Sequence, residues 1–160
     1  MEDWFGNEMP EGFVIFLDVD GPLVSYGNLK ARALDGENEF KPEAIYALNK
    51  IIEYYDATLC MVSSWNSKFG GDAKRYAGFM RSRGLQFKHL VIGDHSRRSE
   101  YVIDLIDRGL NHYLIIDDEA HQYYSKMGFI DYKRILQPNR QRCLDCYDVW
   151  QVTINYKLNT

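Results

Sequence analysis

Residues Phe13-Val14-Ile15-Phe16-Leu17-Asp18-Val19-Asp20-Gly21 are the stretch on which the fold turns. Five apolar residues in a row, without alternation and too few for a helix, predict a strand buried on both faces. A strand covered on both faces implies a sheet with helices above and below it. Two aspartates at strand spacing and a glycine follow at once, so the chain leaves the sheet through a carboxylate-rich turn.

Outward from this stretch, two periodicities alternate. Residues 41–55 place Ile45, Leu48, Ile51, Ile52 and Tyr55 at helical spacing, with Pro42 in the first turn, where a missing N–H costs nothing. Further strands are predicted over 57–62, 89–92, 113–116 and 134–136. Helices are predicted over 72–83 (stopped by Gly84), 99–108 (closed by Gly109), 120–126 and 145–158. Strict β–α alternation predicts an α/β sandwich with a mostly parallel sheet and right-handed crossovers. One domain over residues 1–160 is expected, with 1–12 as an N-terminal extension and 24–40 as a loop or minimal cap.

Composition narrows the class. Nineteen basic and 23 acidic residues in 160 give net −4, which excludes a polybasic nucleic-acid binder but not a local basic groove. No apolar run approaches the roughly 20 residues that span a bilayer, so no membrane partner is expected. The first twelve residues are acidic and aromatic, unlike a secretory signal. Three cysteines, Cys60, Cys143 and Cys146, argue against a disulfide scaffold and for a reducing, cytoplasmic setting. Twelve tyrosines are a marked excess. Tyr46, Tyr55, Tyr101 and Tyr113 are expected to pack rings at the core's edge with wet hydroxyls, and Tyr26 is the candidate for touching substrate.

In open parallel sheets ligands bind beyond the carboxyl ends of the strands. In chain order those ends carry Asp18-Val19-Asp20-Gly21, Ser63-Ser64-Trp65, Gly93-Asp94 and Asp117-Asp118-Glu119. Carboxylates converging in one crevice either raise one another's pKa or share a cation, and oxygen-only ligands favour Mg²⁺. One carboxylate can then attack phosphorus while another handles protons. Gly21 suits a tight turn and close ligand approach, and Ser63 offers a hydroxyl to a phosphoryl oxygen.

Plainer roles exist for each feature. An Asp-Asp-Glu run is an ordinary helix start, and Ser63 or Ser64 can be a helix cap. Cys143-Leu144-Asp145-Cys146 has the spacing of half a zinc site without a second half, and is assigned to free thiols or the core. Two basic stretches, Arg81, Arg83, Lys88, His89, Arg97, Arg98 and then Lys133, Arg134, Arg140, Arg142, are assigned mainly to a solvated face; some members could line an approach for phosphates. Trp65 is either a core aromatic or a platform for stacking on a base.

Phe16-Leu17-Asp18-Val19-Asp20-Gly21-Pro22-Leu23 resembles the first motif of the haloacid dehalogenase (HAD) superfamily. Ser63 matches its second motif and Asp117-Asp118 its fourth. Arg98 stands where the third motif usually has lysine. More narrowly, the chain resembles the HAD domain of the Swiss Army Knife RNA-repair group, over roughly residues 13–156. The features shared with that group are the FLDVDG run, Ser-Ser-Trp after the second strand, and a basic residue opening the helix before Ile115-Ile116-Asp117-Asp118-Glu119.

The resemblance implies a HAD-like, Rossmannoid three-layer sandwich with little or no cap. It implies a Mg²⁺-dependent phosphomonoesterase working through an aspartyl-phosphate on a nucleotide or polynucleotide end. The alternatives are a small-metabolite or nucleotide phosphatase, or a nucleotide-binding protein that retains the site. Asp18 would be the nucleophile, and Asp20 the general acid and then the base. Ser63 and Arg98, or Arg97 in its place, would hold the phosphoryl group. Asp18, Asp20 through its main-chain carbonyl, and Asp117 would ligate Mg²⁺, with Asp118 as an alternative or outer ligand. Gly21, Ser64, Trp65 and Arg97 would contact substrate. The expected partner is a phosphorylated nucleotide or nucleic-acid end, bound by a monomer or homodimer.

Overall fold

Strand β1 (Val14–Leu17) is the central strand of a five-stranded sheet in the computed structural model, which describes residues 12–25, 40–124 and 131–158. Its neighbours are β2 (Thr58–Met61) and β4 (Tyr113–Ile116). β3 (Leu90–Ile92) flanks β2, and β5 (Ile135–Leu136) flanks β4. Every pairing is parallel, in the order β3-β2-β1-β4-β5. All four residues of β1 are buried, as an apolar run between two helical layers requires.

The strands separate two apolar cores. Ile15, Leu17, Leu59 and Met61 face α1 (Pro42–Tyr55), α2 (Ala73–Ser82) and the C-terminal helical segment. Val14, Phe16, Cys60, Val91 and Ile115 face α3 (Arg98–Asp107) and α4 (Ala120–Tyr124). That is the expected three-layer α/β sandwich. Its strand and helix positions agree with the sequence periodicity to within a residue or two, except at the last helix.

Local chemistry explains the boundaries. Asp72 caps α2 by accepting the Arg75 N–H at 3.0 Å, and Gly84, at φ +103°, takes the left-handed turn that ends it. The single helix expected over 145–158 begins as α5 (Cys146–Trp150) behind a reciprocal Asp145–Asp148 capping box, then widens into a π-helical turn, Gln151–Asn155. At this turn the Tyr55 hydroxyl donates to the Val152 carbonyl and accepts the Leu158 N–H, tying the segment to α1.

The register aligns the strand ends. Leu17 lies opposite both Met61 and Ile116, and Met61 opposite Ile92. The residues that follow therefore emerge along one edge. The loop or cap expected over 24–40 falls mostly outside the described residues, as do Tyr26, the first eleven residues and the end of the helix expected over 120–126. Among the described residues no helix is long and apolar enough to cross a membrane.

Candidate active site

Asp18 leaves β1 at the same level at which Asp117 leaves β4, because the two strands pair residue for residue up to their ends. The Asp18 N–H donates to the Ile116 carbonyl at 2.9 Å, so the nucleophile candidate is held as a continuation of the sheet. Asp18, Asp117 and Asp118 are all buried, and one oxygen of each lies within 4.8 Å of the others.

Arg98 supplies the nearby cation. Its Nη1 lies 2.7 Å from Asp117 Oδ2 and 3.7 Å from Asp18 Oδ2, and its guanidinium rests 4.2 Å from the centre of the Tyr123 ring. A cation at the first residue of a helix opposes the helix dipole. The carboxylates across the crevice offset that cost. Arg97, beside it, is not brought in: its side chain is exposed and pairs with Glu100 at 2.6 Å.

The carboxylates differ in what holds them. Asp18 Oδ1 accepts the Val19 N–H at 2.9 Å. Asp117 Oδ1 accepts the Glu119 N–H at 2.8 Å, and its other oxygen is taken by Arg98. Neither Asp118 oxygen is met by a hydrogen-bond donor, although Arg140 Nε makes an ion-pair contact with Oδ2 at 3.2 Å. Burial, and then the charge of Asp117, holds Asp18 well above the ordinary carboxylate range. Burial raises Asp117 against the pull of Arg98, and burial followed by Asp117 pushes Asp118 up to about 6.

Three buried carboxylates facing one another, with neither Asp118 oxygen in a well-formed hydrogen bond, are the donor set of a hard divalent cation. The cluster fits Mg²⁺ on these grounds, with Asp18, Asp117 and Asp118 as the side chains that would hold it. A carboxyl group whose pKa is raised on folding contributes stability that is complete below its unfolded value and lost as pH rises through its folded value. For Asp118 that window runs from about pH 4 to about pH 6. Divalent charge counters this loss. Millimolar MgCl₂ is therefore expected to raise the melting temperature by several degrees at pH 7.5 and hardly at all at pH 4.5, where protons occupy the cluster. Scanning fluorimetry across pH measures it, and an Mg²⁺ shift independent of pH would refute the cluster as the binding site.

Asp20 does not join the trio through its side chain. It is half-buried, and its Oδ1 accepts the indole Nε1–H of Trp65 at 2.8 Å. Ser63 is fully buried, and its Oγ accepts the Trp65 main-chain N–H at 3.2 Å, so it is a cap and a strand-end group at once. Ser64 is exposed at the start of the 3₁₀ turn Ser64–Lys68. Trp65 is 1% exposed, packed against Phe40 and Phe79 with the Lys68 ammonium 3.9 Å from its ring centre, and so presents no face to a base. Gly21 has φ +103°, and a β-carbon there would lie 2.2 Å from Asp118 Cγ.

Several contributors escaped sequence reasoning. Arg140, assigned to a solvated face with the other basic residues, reaches both Asp118 and Glu119. Asn66 donates to the Met61 and Gly93 carbonyls and accepts the Tyr76 hydroxyl, tying the ends of β2 and β3 together beneath the site. Tyr76 sits at an apolar helical position, and nothing in its spacing separates it from an ordinary core residue. Cys143 is buried and Cys146 exposed, both as thiols.

The model of one family, the HAD domain in Swiss Army Knife RNA repair proteins, matches residues 14–145. No curated protein and no solved structure matches the chain.

Proposed function

Since the chain belongs to the family of HAD domains in Swiss Army Knife RNA repair proteins, a family of phosphatase-type hydrolases, we propose that it is a Mg²⁺-dependent phosphomonoesterase that works through an aspartyl-phosphate on a nucleotide or polynucleotide end. The observation that carries this is the buried trio Asp18, Asp117 and Asp118, with Arg98 in contact with the first two and Arg140 beside the third. The family's association with RNA repair supports the polynucleotide end over a small metabolite. In this reading residues 1–160 form one HAD-like domain with little or no cap, acting in the cytoplasm.

The chain's own groups divide the work. Asp18 Oδ1 is engaged by the main chain, so Oδ2, the oxygen facing Arg98, is the one that attacks phosphorus. As that bond forms, the ester P–O bond breaks and Asp20 gives its proton to the leaving oxygen. Asp20 then takes a proton from water, which attacks the phosphoryl group; the Asp18–phosphorus bond breaks and inorganic phosphate leaves. Ser63, whose oxygen already accepts from the main chain, donates its proton to a phosphoryl oxygen, and Arg98 balances the negative charge there. Asp18, Asp117 and Asp118, with the Asp20 carbonyl, would hold Mg²⁺, which would supply the positive charge that lets an anionic ester approach an anionic nucleophile.

The test is phosphate release from a 3′-phosphorylated oligoribonucleotide, mononucleotides and p-nitrophenyl phosphate, with and without MgCl₂. Release that requires Mg²⁺, with kcat/KM on the oligonucleotide about tenfold or more above mononucleotides (~1.4 kcal/mol of selectivity), is the expected result. A preference for mononucleotides would restrict the enzyme to small substrates. No Mg²⁺-dependent release from any ester would overturn the proposal.

A further inference from the structure

Trp65 touches two functional groups from two different strand ends. Its main-chain N–H donates to Ser63 Oγ at 3.2 Å, and its indole Nε1–H donates to Asp20 Oδ1 at 2.8 Å. The ring has no freedom to swing. It is 1% exposed, Phe40 meets it edge-on at 5.5 Å, Phe79 packs at 5.7 Å, and Lys68 stands over it at 3.9 Å. A positive charge on the ring face also draws electron density from the indole and strengthens its N–H as a donor.

The chemistry of indole gives this contact a direction. Indole nitrogen donates and never accepts. The Asp20 oxygen that faces it must therefore remain the acceptor whether Asp20 is ionised or protonated. A carbonyl oxygen accepts better than the hydroxyl oxygen of a protonated carboxyl, so the contact favours a proton on Oδ2. We propose that Trp65 is a positioning residue that selects which Asp20 oxygen carries the transferable proton and aims it at the leaving oxygen, while its main-chain N–H turns the Ser63 hydroxyl proton toward the phosphoryl group. This rests on the phosphomonoesterase reading above and goes beyond it by giving the buried tryptophan a part in proton transfer rather than in base stacking.

A proton-aiming role has a signature that packing lacks. p-Nitrophenolate leaves without needing a proton, whereas the alkoxide of a nucleoside phosphate needs one. kcat/KM reports the first irreversible step, in which that leaving group departs. W65F keeps a ring in the slot and removes the N–H. Its kcat/KM on a nucleoside monophosphate or oligonucleotide end is expected to fall about thirtyfold, part of the roughly 10²–10⁴ that general acid catalysis supplies. Its kcat/KM on p-nitrophenyl phosphate stays within about threefold of the starting enzyme, since that step draws little on the acid. F79L, which loosens the same packing but keeps the N–H, is expected to lower both esters alike.

Should W65F fail to fold, benzothienylalanine incorporated at position 65 replaces the N–H by sulfur in the same shape and gives the same reading. Equal losses on both esters in the variant lacking the N–H would overturn the assignment and leave the phosphatase reading standing. Absence of Mg²⁺-dependent turnover on either ester in the starting enzyme would remove the phosphatase reading and the assignment with it.

Discussion

Asp18→Asn is expected to abolish phosphomonoester hydrolysis and, without divalent ions at pH 7.5, to raise the melting temperature. The amide keeps the shape of the carboxylate and can still accept the Val19 N–H that Asp18 Oδ1 accepts at 2.9 Å. It cannot attack phosphorus. The loss of turnover is expected to be about 10⁴-fold or more, equivalent to roughly 5 kcal/mol of barrier. The stability gain has a separate cause. Burial, and then the charge of Asp117, raises the Asp18 pKa on folding, so its ionisation works against the folded state as pH rises. Asparagine has no charge to lose. The two proteins should therefore melt alike near pH 4 and diverge as pH rises, with the variant more stable. Mg²⁺, expected to stabilise the starting protein by screening that repulsion, should stabilise the variant less. Thermal melts at several pH values, with and without MgCl₂, measure both effects. A variant that keeps activity would remove Asp18 from the nucleophile's role. One that is less stable at pH 7.5 would mean that the Arg98 contact outweighs burial and repulsion.

How much of this was legible depended on the distance over which each feature is determined. The apolar runs ending at Leu17, Val62 and Ile116 place Asp18, Ser63 and Asp117 at one edge from local pattern alone, because a parallel sheet aligns its strand ends. Arg98 was legible through its match to the third motif of the resembled superfamily, with Arg97 beside it as the alternative. Arg140 was not. Its contact with Asp118 depends on the path of the chain after β5, which no periodicity encodes. Arg134, another member of the basic stretches, is structural for the same long-range reason: it donates to the Tyr113 and Leu158 carbonyls. The indole of Trp65 faces Asp20 rather than solvent because the turn after Ser63 is 3₁₀ and sends the ring under Phe40. The tyrosines divide similarly: Tyr55 and Tyr113 are buried, while Tyr46 is 57% exposed, with the Lys50 ammonium 5.3 Å from its ring centre.

Gly21→Ala is expected to cost more stability than a single methyl group ordinarily can, and to weaken Mg²⁺ binding at the same time. Two penalties coincide at this residue. Its φ of +103° is one that residues with a β-carbon rarely adopt, a strain of about 1–3 kcal/mol. The added carbon would also lie 2.2 Å from Asp118 Cγ and 2.5 Å from Oδ1, distances no real contact sustains. Neither side can yield cheaply. The turn is pinned by the Gly21 N–H donating to the Val24 carbonyl at 2.8 Å and by the Leu23 and Val24 N–H groups on the Val19 carbonyl. Asp118 is buried and follows Asp117, which Arg98 holds at 2.7 Å. Displacing Asp118 also moves one of the three clustered carboxylates away from the other two, so Mg²⁺ affinity should fall about tenfold or more, ~1.4 kcal/mol. Gly71→Ala isolates the first penalty, because Gly71 has φ +84° and nothing within 4 Å of an added β-carbon. Urea unfolding of the two variants, with Mg²⁺ titrated by calorimetry, separates strain from collision. Gly71→Ala should lose only the conformational cost and bind Mg²⁺ as before, while Gly21→Ala loses clearly more and binds it poorly. Equal losses in the two variants would mean that Asp118 does not rest against the turn, and that the close approach of β1's turn to β4's carboxylate is not what requires glycine after Asp20.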